Sequence, residues 1–386
     1  MSARVLLPRI MEIGPDACLK VPEILLSLGS NKPLIVTDKV MVNLGLVDRL
    51  IDALKDHGLE ADTFDGTVPE PTSRSIEAGV ARVQEGSFDS IVALGGGSVI
   101  DSAKAISILG KHGGRIDDYR FPRQVTQAGL PIIAVPTTAG TGSEVTRFTI
   151  ITNEVSNEKV LCVGEAFMPI AAVIDFKLTL SLPARITADT GIDALTHAIE
   201  AYVSRKANPY SDSQALAAMR LIGPNLRCVY DDGQDERARE AMMMGATLAG
   251  IAFSNASVAL VHGMSRPIGA YFHVPHGLSN AMLLPDVTAW SMPAARGRYA
   301  DCARAIGAAL PRDSNAQANL KLIAYLEDMN SALAVPTLQA FGADRQLFDQ
   351  SVAIMAQQAL ASGSPGNNPR QASVEEIVDL YKMLWN

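Results

Sequence analysis

The chain has 386 residues, 48% of them hydrophobic, with a formal net charge of -8 and a pI near 5.3. That length exceeds one comfortable core and points to two domains. Lys and Arg are nowhere clustered into a block, which argues against a nucleic-acid partner.

The N-terminal stretch MSARVLLPRIMEIGPDACL has an apolar run broken by Pro8 and Arg9, with no small-residue cleavage site behind it, so no signal peptide is expected. The richest apolar segment, ATLAGIAFSNASVALVHGM, carries Asn255 and His262 and reads as buried helix rather than a membrane span. Cys18, Cys162, Cys228 and Cys302 lie far apart without a C-x-x-C pair. A cysteine zinc site is therefore not expected, and a reducing, cytoplasmic setting is.

In chain order, KPLIVTD (32–38) is a short apolar strand ending on Asp38, and VDRLIDALKDHG (47–58) has helical spacing with Gly58 as its stop. DSIVALGGGSVIDSAKAISIL (89–109) reads as buried strand, glycine turn and helix. LPIIAVPTTAGTGSE (130–144) is a strand running into a Thr/Gly loop, and IAAVIDF (170–176) is a further strand. Continuous Val/Ile/Leu strands separated by helices predict a parallel, Rossmann-like sheet covered on both faces.

After Pro183 the pattern turns helical: RITADTGIDALTHAIEAYVS, with Thr187 as candidate N-cap, then 211–230, 236–253, NAQANLKLIAYLEDMNSALA and SVEEIVDLYKMLW. SGSPGNNPRQ (362–371) reads as a loop. The expected division is an α/β dinucleotide-binding domain over 1–183 and an all-α, metal-binding domain over 184–386.

Ligands of open α/β sheets bind beyond the carboxyl ends of the strands. Gly95, Gly96 and Gly97 allow close backbone approach to a phosphate, and Ser98 opens a helix whose N-terminus favours an anion. The pattern departs from G-x-G-x-x-G, and alone it fits a tight turn as well. Asp38 is placed to accept from a ribose 2′-hydroxyl, and Thr137, Thr138 and Thr141 add hydroxyls at a third strand end. Together the three loops point to a dinucleotide.

Asp193 and His197 are spaced i, i+4, on one face of a helix. His262, His273 and His276 follow in VHGMSRPIGAYFHVPHGLSN, where Pro267 is expected to break or bend the helix and Pro275 to start a new one at His276. One aspartate with three imidazoles suits Fe²⁺, Zn²⁺ or another divalent first-row ion. His57 and His112 sit in charged, loop-like settings and read as surface residues.

These blocks resemble the iron-containing, or group III, alcohol dehydrogenases. The resemblance runs from LPRIMEIG and LIVTDK through DGTVPEPT, GGGSVIDSAKA, PTTAGTGSEVT and ITADTGIDALTHAIEAY to HGMSRPIGAYFHVPHGLSNAMLLP. It implies a nucleotide domain and a helical domain with the site in the cleft, and a homodimer or larger homo-oligomer. It implies Asp193, His197, His262 and His276 as metal ligands, Gly95 to Ser98 as phosphate loop, and Asp38 selecting NAD over NADP. Thr137, Thr138, Thr141 and Lys159 match cofactor-contacting positions, and Phe148, Ile150 and Phe253 match the substrate pocket.

One position departs. Many members carry a histidine four residues after the third ligand; here it is Arg266, which does not trade protons. Arg266 is expected to pair with a carboxylate, or alternatively to hold an anionic substrate group; His273 is left as the candidate for proton transfer. The implied activity is NAD-dependent, metal-dependent interconversion of a primary alcohol and its aldehyde. The alternatives are an acid-bearing hydroxy or oxo substrate, a lyase like dehydroquinate synthase, and a non-catalytic nucleotide- or metal-binding protein.

Overall fold

A computed structural model describes residues 2–155 and 158–385. The chain divides into two compact units, one of Leu6–Leu180 and the other of Ser181–Asn386 with Met1–Val5.

The first unit is built on β1 (Ile10–Ile13), β2 (Pro33–Val36), β3 (Asp62–Phe64), β4 (Ser90–Gly95), β5 (Ile132–Pro136), β6 (Phe148–Asn153), β7 (Glu158–Val163) and β8 (Ala171–Ile174). Its helices are α1 (Val21–Ser27), α2 (Lys39–Asn43), α3 (Leu46–Asp56), α4 (Ser73–Gly86) and α5 (Gly97–His112). Six strands form one sheet in the order β1-β8-β5-β4-β2-β3, with every neighbouring pair parallel.

The central strands are buried along their whole length, as expected where helices cover both faces. Alternation divides them between two cores. Leu34, Val36, Ile91, Ala93, Ile132 and Ala134 join the helices α4 and α5, whereas Ile35, Val92, Leu94, Ile133 and Val135 join α1 and α3. Because all strands run one way, the loops carrying Asp38, Gly95–Ser98 and Thr137–Thr141 leave from the same end of adjacent strands β2, β4 and β5.

Several elements went unnamed in the sequence reading, and one pair of them bears on the site. β6 and β7 pair antiparallel as a two-stranded ribbon outside the main sheet. Asp101 on α5 holds it: its carboxylate accepts from Ile150 N at 2.9 Å, and its carbonyl accepts from Thr149 Oγ1 at 2.8 Å.

The second unit is helical: α6 (Ala184–Val203), α7 (Pro209–Asp231), α8 (Glu236–Ala256), α9 (Leu260–Phe272), α10 (His276–Ser291), α11 (Arg296–Ile306), α12 (Asn315–Ala332), α13 (Leu338–Phe341), α14 (Arg345–Ala361) and α15 (Val374–Met383). α6 is its axis, buried on nearly all sides from Thr187 to Val203. Among the described residues no single helix is long and apolar enough to cross a membrane; α8 and α9 meet at a bend of 104°.

Two local expectations are corrected. Thr187 does not cap α6, which starts a turn earlier behind Pro183; its hydroxyl instead accepts from Arg239 Nη1 at 3.0 Å. Pro267 does not break its helix, because α9 runs through it to Phe272. There the packing of a buried helix outweighs one lost backbone hydrogen bond. Pro275 does precede a new helix, and His276 is its first residue.

Candidate active site

Three helices of the second unit bring the acid and the imidazoles together. α6 contributes Asp193 and His197, α9 contributes His262, and α10 contributes His276. α10 reaches α6 through a backbone contact: a Cβ at Gly277 would lie 2.1 Å from the Asp189 carbonyl oxygen. Only glycine permits that approach, and it sets His276 beside the next turn of α6, where Asp193 stands.

Asp193, His262 and His276 present ligand atoms within 4.8 Å of one another. Asp193 Oδ1 is 3.4 Å from His262 Nε2, 3.7 Å from His276 Nε2 and 3.9 Å from His197 Nδ1. A tetrahedral ion with bonds of about 2.0–2.1 Å has ligand-to-ligand edges of roughly 3.4 Å, so these spacings fit a divalent first-row metal. His197 stacks on the His262 ring at 4.3 Å and on Phe253 at 4.2 Å, between centroids.

The outer contacts orient the imidazoles. His262 Nδ1 is 2.6 Å from Glu200 Oε2, which leaves Nε2 turned toward Asp193. Glu200 is fixed in turn by the Ala259 and Val261 amides, which donate to it at 2.9 and 2.6 Å. His276 Nδ1 lies 3.1 Å from Ser265 Oγ. Such second contacts fix ring orientation and raise the basicity of metal-binding histidines. Asn280 donates to Asp193 Oδ1 at 2.7 Å, and its own buried Oδ1 has no hydrogen-bond partner among the described residues.

The electrostatics follow from burial and proximity. Burial pushes the Asp193 carboxyl up, but His197, His276 and His262 outweigh it and hold the group well below the usual carboxylate range. Burial pulls His262 down, whereas Asp193 and Glu200 raise it, to a net value of about 9. The cluster is thus a buried acid stabilised by positive charge, the condition a bound cation would satisfy.

Arg266 on α9 and His273 just beyond its end are not among the clustered ligand atoms. The expected pairing of Arg266 with a carboxylate is not formed: among the described residues the side chain makes no hydrogen bond or ion pair. It is half-buried, and burial lowers its pKa although Glu200 acts to raise it. His273 is exposed at the C-cap of α9 in the left-handed conformation, φ 55°.

In the first unit, the glycine turn is shaped as a cradle. A Cβ at Gly97 would lie 2.6 Å from Thr141 Cγ2, and one at Gly96 would lie 3.3 Å from Thr138 Cγ2. Gly97 begins the sixteen-residue helix α5, with Gly96 as its N-cap, so helix N-terminal amides are close by. Thr137 Oγ1 is buried and has no hydrogen-bond partner among the described residues. A phosphate-bearing ligand fits this donor set.

Surrounding contacts lock the loop. Ser98 Oγ accepts from the Glu70 amide at 3.3 Å, and Lys159 Nζ bonds Glu70 Oε1 at 3.1 Å. Lys104, fully buried on α5, donates to Ser143 Oγ at 3.0 Å and to the Phe148 carbonyl at 2.8 Å. Burial draws its pKa down to about 8, against Asp101 and Glu144. Asp38 ends β2 and caps α2: its Oδ1 accepts from Val40 N at 2.8 Å and Met41 N at 3.0 Å.

Phe148 and Ile150 lie half-buried on β6 in the first unit, and Phe253 lies on α8 in the second. The sequence reading missed Glu200, Ser265, Asn280, Asp101 and Lys104. Two of these left a signal: Glu200 follows His197 by three positions and Asn280 follows His276 by four, the spacing of one helical face.

The iron-containing alcohol dehydrogenase family matches residues 8–176, and the C-terminal region of the same family matches residues 187–385. The long-chain-alcohol dehydrogenase 1 of Geobacillus thermodenitrificans is 40% identical over 345 residues, covering 88% of this chain and 87% of its own. The 1,3-propanediol dehydrogenase of Klebsiella pneumoniae is 37% identical over 383 residues, covering 98% of both. A crystal structure of a 1,3-propanediol oxidoreductase superposes with a TM-score of 0.96 at 36% identity, covering all of both chains. By these matches the chain belongs to the iron-containing alcohol dehydrogenases, and it is an oxidoreductase.

Proposed function

We propose that the protein interconverts a primary alcohol and its aldehyde, using NAD and one divalent metal, Fe²⁺ foremost with Zn²⁺ as the alternative. The observation that carries this reading is the convergence of Asp193, His262 and His276, with His197 beside them, in a largely buried cluster whose outer contacts already orient the rings. Asp193, His197, His262 and His276 would hold the ion, and Gly95, Gly96, Gly97, Ser98, Thr137, Thr138 and Thr141 would hold the dinucleotide.

When bound, the metal supplies Lewis acidity toward the substrate oxygen and NAD supplies the hydride acceptor. The protein's part is orientation and exclusion. Glu200 and Ser265 fix His262 and His276, Asn280 holds Asp193, and Phe253 covers the His197 ring against water. Asp38 favours NAD, because its carboxylate would accept from a ribose hydroxyl and repel a 2′-phosphate. Three of the four cysteines are buried and all four are free thiols, which supports a cytoplasmic setting. A homo-oligomer is expected from the family resemblance alone.

His262→Ala tests the reading. It should abolish alcohol oxidation and aldehyde reduction while NADH still binds, as read by its fluorescence. Retention of most of the turnover would remove the metal assignment. Steady accumulation of NADH from an alcohol separates this reading from a lyase that recycles its NAD.

A further inference from the structure

Among the described residues Arg266 is a half-buried cation with no partner, beside a cluster whose own charges are engaged. Asp193 is surrounded by imidazoles, Glu200 meets two amides and His262, and Lys104 is enclosed by oxygens. Arg266 is half-buried and makes no hydrogen bond or ion pair among the described residues. A guanidinium stays charged, and removing it from water without a counter-charge is costly.

Its position gives the missing partner an address. Arg266 follows His262 by one helical turn, so the two side chains leave the same face of α9 with Cβ atoms about 6 Å apart. Long helical side chains lean toward the N-terminus, which here is toward His262. Glu200, which bonds His262, acts to raise the Arg266 pKa against the effect of burial, in keeping with that placement. Glu200 makes no hydrogen bond or ion pair with it among the described residues; its oxygens meet the Ala259 and Val261 amides and His262.

We propose that Arg266 recognises an anionic group on the substrate, so that the enzyme acts on short alcohols and aldehydes bearing a carboxylate or similar oxyanion a few carbons from the reacting oxygen. The inference rests on the alcohol dehydrogenase reading above. One helical turn between the two residues calls for a short substrate, and 4-oxobutanoate is a suitable probe. The planar fork of Arg binds such a group through two parallel hydrogen bonds, a geometry that a histidine at this position would not reproduce.

The test compares NADH-dependent reduction of 4-oxobutanoate with that of butanal, in the unaltered enzyme, Arg266→Gln and Arg266→Lys. The unaltered enzyme should prefer 4-oxobutanoate. In Arg266→Gln the ratio of kcat/KM for the two aldehydes should fall roughly 10- to 150-fold, mainly through KM, and Arg266→Lys should recover part of it. No preference in the unaltered enzyme, or equal loss on both aldehydes, overturns the proposal. A rise in the NADH KM with either aldehyde would instead give Arg266 to a cofactor phosphate and also overturn it.

Calorimetric binding of butanoate against butanamide provides a readout independent of turnover. If butanoate binds the unaltered protein and not Arg266→Gln while no alcohol or aldehyde is turned over, the dehydrogenase reading falls and the anion site stands. If butanal is reduced and butanoate does not bind, the reverse holds. Arg266→Lys, which keeps the charge, carries the comparison if the Gln variant does not fold.

Discussion

Glu200 and His262 meet at 2.6 Å, carboxylate Oε2 to imidazole Nδ1, and both are almost fully buried. The bond joins α6 to α9 and determines which nitrogen of His262 faces Asp193. Glu200 lies seven residues beyond Asp193 on the same helix, so α6 supplies both an inner and an outer contact of one site.

Glu200→Gln keeps the shape and removes the charge. Metal affinity should fall roughly 10- to 100-fold, the usual cost of losing an outer carboxylate. Chelator competition measures it, and NADH binding should be unaffected. An unchanged metal affinity would mean that Glu200 serves α9 packing alone, through the Ala259 and Val261 amides.

Asp38→Asn separates two duties of one side chain. The amide oxygen can still accept from Val40 and Met41, so the cap survives and stability should change by well under the ~1 kcal/mol of a lost cap. The negative charge is gone, so NADP should become a usable cofactor. The ratio of kcat/KM for NAD over NADP should drop at least tenfold. A ratio that does not move would leave Asp38 as a helix cap only.

Gly97→Ala places a methyl 2.6 Å from Thr141 and forces the Thr/Gly loop to shift. Overpacking of this kind costs about 1–3 kcal/mol. The NADH dissociation constant should rise roughly tenfold or more while metal content stays the same. Thr141→Ser in the same chain removes the methyl that is struck and should restore part of the affinity.

What the sequence disclosed was short-range. A D-x-x-x-H pair declares its shared face through the helical repeat, and three successive glycines between a Val/Ile strand and a helix declare a close-approach turn. What it concealed depended on packing. Glu200, Ser265 and Asn280 carry ordinary helix-surface chemistry until α6, α9 and α10 are brought together. The β6–β7 ribbon mostly alternates half-buried and buried residues, a weaker pattern than the continuous apolar strands around it. Arg266 was misread for the opposite reason: a charged residue in an apolar helix implies a carboxylate partner, and none is found among the described residues.

The cysteines give a clean measure of burial. Cys18, Cys162 and Cys302 are buried, and desolvation raises all three thiols, Cys18 and Cys162 to about 12. Cys228 is exposed on α7. Thiolate is the reactive form, so alkylation of the folded protein at pH 8 should label Cys228 alone, and unfolding should open all four. Rapid labelling of Cys302 in the folded protein would contradict the packing of α11.

Removing the metal should loosen the second unit. A ligand that binds only the folded state stabilises it by about 2.7 kcal/mol at a hundredfold excess over its dissociation constant. For a unit of some two hundred residues that corresponds to roughly 5–10 °C in Tm. Chelation should lower the Tm of the unaltered protein by about this amount, and Zn²⁺ or Fe²⁺ should restore it. Asp193→Asn removes the negative charge on which His197, His262 and His276 converge and leaves only a weak amide ligand, so its Tm should respond to neither chelator nor metal. A full metal response in Asp193→Asn would place the ion somewhere other than at the junction of α6, α9 and α10.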